Sequence, residues 1–129
     1  MRRILATLLS LAASSLPATA QSDFQPISLV GTWSATSKHP SGAAVVATVV
    51  LAQNQKFTGS VTVDDKPFWQ YSGTWSVVGR TLTWRYEAST LAQAPAGTVD
   101  TDEVISVDKS KLVLLSKLSG KKNEFLRVR

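Results

Sequence analysis

A single histidine and a complete absence of cysteine limit the chemistry this chain can carry. Nucleophilic catalysis would have to rest on one histidine-centred arrangement. His39, however, falls in Lys38-His39-Pro40-Ser41-Gly42, whose proline and glycine mark a loop where histidine is a solvated side chain. Asp100, Asp102 and Glu103 together with that histidine match no compact zinc spacing. Asp100 and Asp102 share a strand face but lack the loop and glycine of a calcium site, so they read as solvated strand residues. No catalytic residue, metal site or cofactor is expected.

The aromatic residues carry more information. Trp69 with Tyr71, and Trp84 with Tyr86, are each spaced two apart, which puts both members of a pair on one face of a strand. On adjacent strands the four rings line one wall, joined by Val61 and Val63 from the strand before. Pockets for small molecules are mostly apolar with a few orienting polar groups, and tyrosine hydroxyls can serve as those groups. Trp69, Tyr71, Trp84, Tyr86, Val61 and Val63 are therefore the candidate ligand-binding set. Two outcomes stay open: the rings fill the interior, or they line a cavity.

The elements that must position these rings are strands throughout. From Gly31 onward the apolar pattern has period two. Trp33, Ala35 and Ser37 share one face of the first strand, and Val45, Ala47, Val49 and Leu51 one face of a valine-rich second. Phe57, Gly59, Val61 and Val63 follow on the third. Trp69, Tyr71, Gly73, Trp75 and Val77 point inward from the fourth, and Leu82, Trp84 and Tyr86 from the fifth. Three more strands are expected at Val99 to Val107, Lys111 to Leu118 and Glu124 to Arg129. Eight consecutive strands with short links and no long crossing connection predict an all-β, antiparallel up-and-down barrel, because closure removes the exposed edges.

Within that barrel, Gly-Thr-Trp-Ser occurs twice, at Gly31 to Ser34 and at Gly73 to Ser76. The copies fall on strands one and four, which run in opposite directions. Both indoles, Trp33 and Trp75, therefore converge on the same end. The links Lys38–Gly42, Asp64–Pro67, Ser89–Thr98 and Ser119–Asn123 gather at the opposite end. The links Gln53–Gln55, Val78–Arg80 and Asp108–Ser110 are tight turns beside the tryptophans. The result is a cup with a floor at the tryptophans and a mouth at the longer loops.

The chain begins outside this domain. Met1-Arg2-Arg3, an apolar run from Ile4 to Leu16 and the small-x-small triplet Ala18-Thr19-Ala20 have the form of a signal peptide cleaved before Gln21. The expected organisation is residues 1–20 as signal peptide, 21–28 as a flexible leading segment and 29–129 as the barrel. A periplasmic or secreted protein follows, with no membrane anchor in the mature chain. Without cysteine it is held by packing and backbone hydrogen bonds alone. Loss of Arg2 and Arg3 leaves 12 basic residues against 9 acidic, a net charge of +3. Seven of the basic residues lie between Lys109 and Arg129, without the interleaved aromatics of a nucleic-acid surface.

The opening Gly31-Thr32-Trp33, the eight strands and the arginine of the last one give the chain a resemblance to the lipocalin-like (calycin) proteins. It looks closest to small bacterial lipocalin-like domains, in which Gly-Thr-Trp-Ser leads into a glycine hairpin and Thr-Leu-Thr, here Gly73 through Thr83. The resemblance implies a barrel with a cavity open at one end. It also implies a closed floor made by Gly31, Trp33, Gly73 and Trp75, with Arg127, or failing that Arg129, packed over the first indole. It departs from the larger lipocalins in having no following helix and no disulfide. The activity it implies is binding of a small hydrophobic or amphipathic ligand. The alternative is a protein-interaction module, an inhibitor or envelope accessory protein, using the rim loops and the basic C-terminal strands.

Overall fold

The computed structural model describes residues 24–128. The signal peptide and cleavage site expected from the sequence, residues 21–23 and Arg129 lie outside the described residues. After a short 3₁₀ turn, Pro26–Leu29, the chain forms β1 (Gly31–Lys38), β2 (Ala44–Leu51), β3 (Lys56–Val63), β4 (Lys66–Val78), β5 (Thr81–Ser89), β6 (Val99–Val107), β7 (Lys111–Ser116) and β8 (Lys122–Arg127). Each strand pairs antiparallel with its neighbours in sequence, and β1 closes onto β8, giving an eight-stranded up-and-down barrel. Among the described residues no helix is long and apolar enough to cross a membrane.

The alternation of side chains sets the core. Trp33, Val49, Leu51, Phe57, Trp75, Leu82, Trp84, Tyr86, Val104, Leu112 and Leu114 are buried inside the barrel, with Leu29 beneath them. Two glycines make this packing possible. At Gly73 a Cβ would stand 1.9 Å from the Arg85 carbonyl oxygen, because a register shift between Ser72 and Gly73 presses β4 onto β5. At Gly59 the missing side chain makes room for the Tyr71 ring, which a Cβ would meet at 2.2 Å.

The floor is built around Arg127. Its guanidinium lies 4.1 Å from the centre of the Trp33 ring, directly across the β1–β8 pairing. It donates to the carbonyls of Lys109 (2.7 Å), Val30 (2.8 Å) and Ser28 (3.0 Å), joining the last strand to the β6–β7 turn and the leading segment. The Trp33 indole N–H donates to Leu29 O, and the Trp75 indole N–H to Ala52 O in the β2–β3 turn. Part of the leading segment expected to be flexible is thus fixed beneath the barrel. Its Pro26–Leu29 turn offers carbonyls to Arg127 and Trp33, and Phe24 packs against Arg80.

Several strand limits differ from the sequence expectation. β4 begins at Lys66, so β3 and β4 are joined by Asp64-Asp65 alone, both with positive φ. Such a turn matches the twist of a hairpin, and aspartate tolerates the conformation. Pro67 sits inside β4 next to the irregularity at Val61/Thr62, where its missing N–H disturbs no regular ladder. β7 stops at Ser116, leaving Leu118 in the following turn, and β8 begins two residues earlier than expected.

Candidate functional site

The interior has two unlike walls. On one, Trp69, Tyr71 and Tyr86 form a stack. Trp69 and Tyr71 lie with centroids 4.3 Å apart, and Tyr71 and Tyr86 lie 5.5 Å apart at an interplanar angle of 12°. Phe57 packs below, edge-on to Trp84 at 5.1 Å and to Tyr86 at 5.8 Å. The Trp69 indole N–H donates to Ser89 Oγ at 2.9 Å, which anchors the top of the stack to β5. These rings occupy much of the mouth side of the barrel.

The other wall is made of small residues. Ala35 and Ser37 of β1 and Val45 and Ala47 of β2 face inward, opposite Asn123 and Phe125 of β8. Here the barrel is barely closed. β1 pairs with β2 through eight residues but with β8 only at Trp33–Arg127 and Ser34–Leu126. From Ala35 to Lys38 the two strands separate, and a cleft of about 700 Å³ opens between them. It shares Asn123 and Phe125 with an interior void of about 110 Å³ whose remaining lining is Val49, Tyr71, Trp84, Tyr86, Asp102 and Leu114. The opening is therefore a lateral slot at the β1–β8 seam as well as the rim of the cup.

Tyr71, Trp84 and Tyr86 line this void, whereas Trp69 reaches it only through the stack. Val61 and Val63 do not line it. Val61 lies across from Trp69, and Val63 stands at the rim opposite Lys66.

Asp102 requires a correction. It was expected to be a solvated strand residue, but it shares an inward face with Val104 and lines the void. Its Oδ2 accepts the Trp84 indole N–H at 2.8 Å. Burial pushes its carboxyl above the usual aspartate range, the Trp84 hydrogen bond pulls it back, and nearby Asp100 pushes it up again. Burial also raises the Tyr71 hydroxyl to about 12. The Tyr86 hydroxyl is raised further, by burial first and then by the neighbouring Tyr71, Asp100 and Asp102. Neither hydroxyl has a hydrogen-bond partner among the described residues. Among the described residues no fully enclosed side-chain oxygen lacks a partner, so neither hydroxyl is fully enclosed.

Asn123, Phe125, Leu114 and Val49 were not among the sequence candidates. Strand parity carried the signal for all four, since Asn123, Phe125 and Arg127 alternate on one face. Starting β8 at Glu124 hid the first of them. His39 lies away from the void, its Nδ1 accepting from the Ser41 backbone N–H within the β1–β2 loop.

No family model matches the chain, and a search of curated proteins finds no match. The class defined by the fold is a closed eight-stranded antiparallel barrel, consistent with a calycin-like architecture.

Proposed function

We propose that this is an exported lipocalin-like protein that binds a small hydrophobic or amphipathic ligand inside its barrel, and that its role is binding rather than catalysis. The observation that carries this is the seam. A sheet that could close along its whole length stops pairing after Ser34 and leaves a cleft that shares Asn123 and Phe125 with an aromatic-lined void. Cleft and void together fall within the size range of small-molecule sites, roughly 300–1,000 Å³. Two tyrosine hydroxyls, one carboxylate and the Asn123 side chain, set among the aromatic and aliphatic residues of the void, supply the few orienting groups such sites use.

The test is titration of tryptophan emission with fatty acids and other apolar probes. Saturable change that disappears in Trp84→Phe supports binding at the void. An unchanged spectrum across a broad panel overturns it. Export is tested separately, by mass measurement of the mature N-terminus, with Gln21 as the expected first residue.

One observation favours a second reading, protein interaction at the rim. Leu118 is 89% exposed in the β7–β8 turn, between Lys117 and the pair Lys121 and Lys122. Capture of a protein partner that is lost on reversing Lys121 and Lys122 to glutamate, together with no ligand response, would favour that reading over the first.

A further inference from the structure

Among the described residues no positive side chain accompanies Asp102 inside the barrel. Its one hydrogen-bond partner is the neutral Trp84 indole, and the ion pairs among the described residues, Lys56–Glu87 and Lys111–Glu124, are on the outer surface. Asp100 shares its face, close enough to raise the Tyr86 hydroxyl, and adds a second negative group. A carboxylate withdrawn from water is costly unless it is paired. Here the missing partner is not another side chain.

The surroundings show what would suit the position. Tyr71, Trp84 and Tyr86 line the same void, and aromatic faces attract cations through their quadrupoles. Tyr86 is only 7% exposed and lines this void, and its hydroxyl has no hydrogen-bond partner among the described residues. A void of about 110 Å³ has room for a compact head group but not for a long chain. The adjoining cleft, with Ala35, Val45 and Ala47 on one side and Phe125 on the other, offers an apolar path outward. The charged residues of its outer lip, Lys122 and Glu124, are exposed to solvent, where their charge is screened, whereas Asp102 lies in the interior.

We infer that the ligand is a small organic cation, an amine or quaternary ammonium on a short apolar chain, with its head between Asp102 and the tyrosine rings and its chain in the β1–β8 cleft. This rests on the ligand-binding function proposed above and narrows it to one charge class.

The experiment compares four probes of equal chain length on the full mature protein: hexylamine, hexyltrimethylammonium, hexanol and hexanoate, read by tryptophan emission and calorimetry. The two cations should bind at least about tenfold more tightly than hexanol and hexanoate. Added salt should weaken the cations alone. Asp102→Asn, which keeps the shape of the side chain and an acceptor for Trp84, should remove the cation preference, so that the two cations bind no more tightly than hexanol. Equal affinity for all four, or a cation preference that survives Asp102→Asn in a protein with unaltered near-ultraviolet circular dichroism, overturns the inference while leaving a ligand site in place. If none of the four binds, the ligand-binding function itself fails, and the cation inference fails with it. The salt series on the unsubstituted protein decides the matter even if the variant does not fold.

Discussion

Trp84 reaches diagonally across the β5–β6 pairing to Asp102, two residues beyond its register partner Asp100, with the indole N–H 2.8 Å from the carboxylate and both residues lining an aromatic void. The contact orients a half-buried acid without neutralising it. Burial outweighs that contact, so the folded carboxyl holds its proton to a higher pH than the same carboxyl in an unfolded chain. Between those two values the folded state binds more protons, so stability falls as pH rises through the folded value. Asp102→Asn should remove that loss and unfold at higher urea than the parent at neutral pH, with the difference vanishing in acid. Urea midpoints measured across a pH series check this.

The chain has two tyrosines, and both line the void, so their titration can be read without interference. With the Tyr71 hydroxyl raised to about 12 and that of Tyr86 raised further, tyrosinate absorbance should stay absent in the folded protein well past the ordinary value of 10. It should then appear together with unfolding. The folded state keeps its protons above the unfolded value, so stability declines as pH climbs from there towards the folded values. Ordinary tyrosine titration in a protein whose circular dichroism is unchanged would contradict the closed stack.

Arg127→Ala removes three charged hydrogen bonds to carbonyls and the ring contact with Trp33. A loss of about 2–4 kcal/mol in urea unfolding is expected. Arg127→Lys should recover little of it. A lysine ammonium cannot spread donors to three separate carbonyls while lying flat on an indole.

The two interior glycines should differ in their response to alanine. Gly59→Ala meets the end of the Tyr71 side chain, which can swing away at a cost of about 1–3 kcal/mol and a changed near-ultraviolet spectrum. Gly73→Ala meets the backbone oxygen of Arg85, which cannot swing. It should cost more than Gly59→Ala and disturb the β4–β5 pairing. Paired denaturation curves of the two variants are the check.

Pairing of β1 with β8 stops at Ser34, and Val128 N–H donates to Thr32 O. Alternate residues of β1 therefore turn their amides towards β8, and Thr36 is one that finds no strand there. Its amide should exchange with deuterium faster than those of Ala35 and Ser37, which face β2. A ligand in the cleft should narrow that difference. Residue-resolved exchange by nuclear magnetic resonance measures both.

The barrel and its floor were legible because both follow from strand parity and direction. Trp33 and Trp75 had to meet at one end once their strands were counted, and the arginine two residues beyond Phe125 had to arrive beside them. The site was legible only on its aromatic side. Rings announce themselves in a sequence, whereas the opposite wall is defined by what Ala35, Ser37 and Ala47 lack. The failure of β8 to pair with the upper half of β1 leaves no mark in either strand. Asp102 was misjudged because an aspartate in an alternating strand is ordinarily the outward residue. Its parity with Val104 outweighed its chemistry.

At the floor, Val128 is hydrogen-bonded to Thr32, and Phe24 rests on Arg80. The described chain thus starts and finishes at the floor, away from the rim, with Val128 at the edge of the slot. A tether, label or surface attached at Phe24 would hold the barrel by its floor with the rim outward. The same attachment at Val128 would crowd the β1–β8 slot, so the two ends are not equivalent handles.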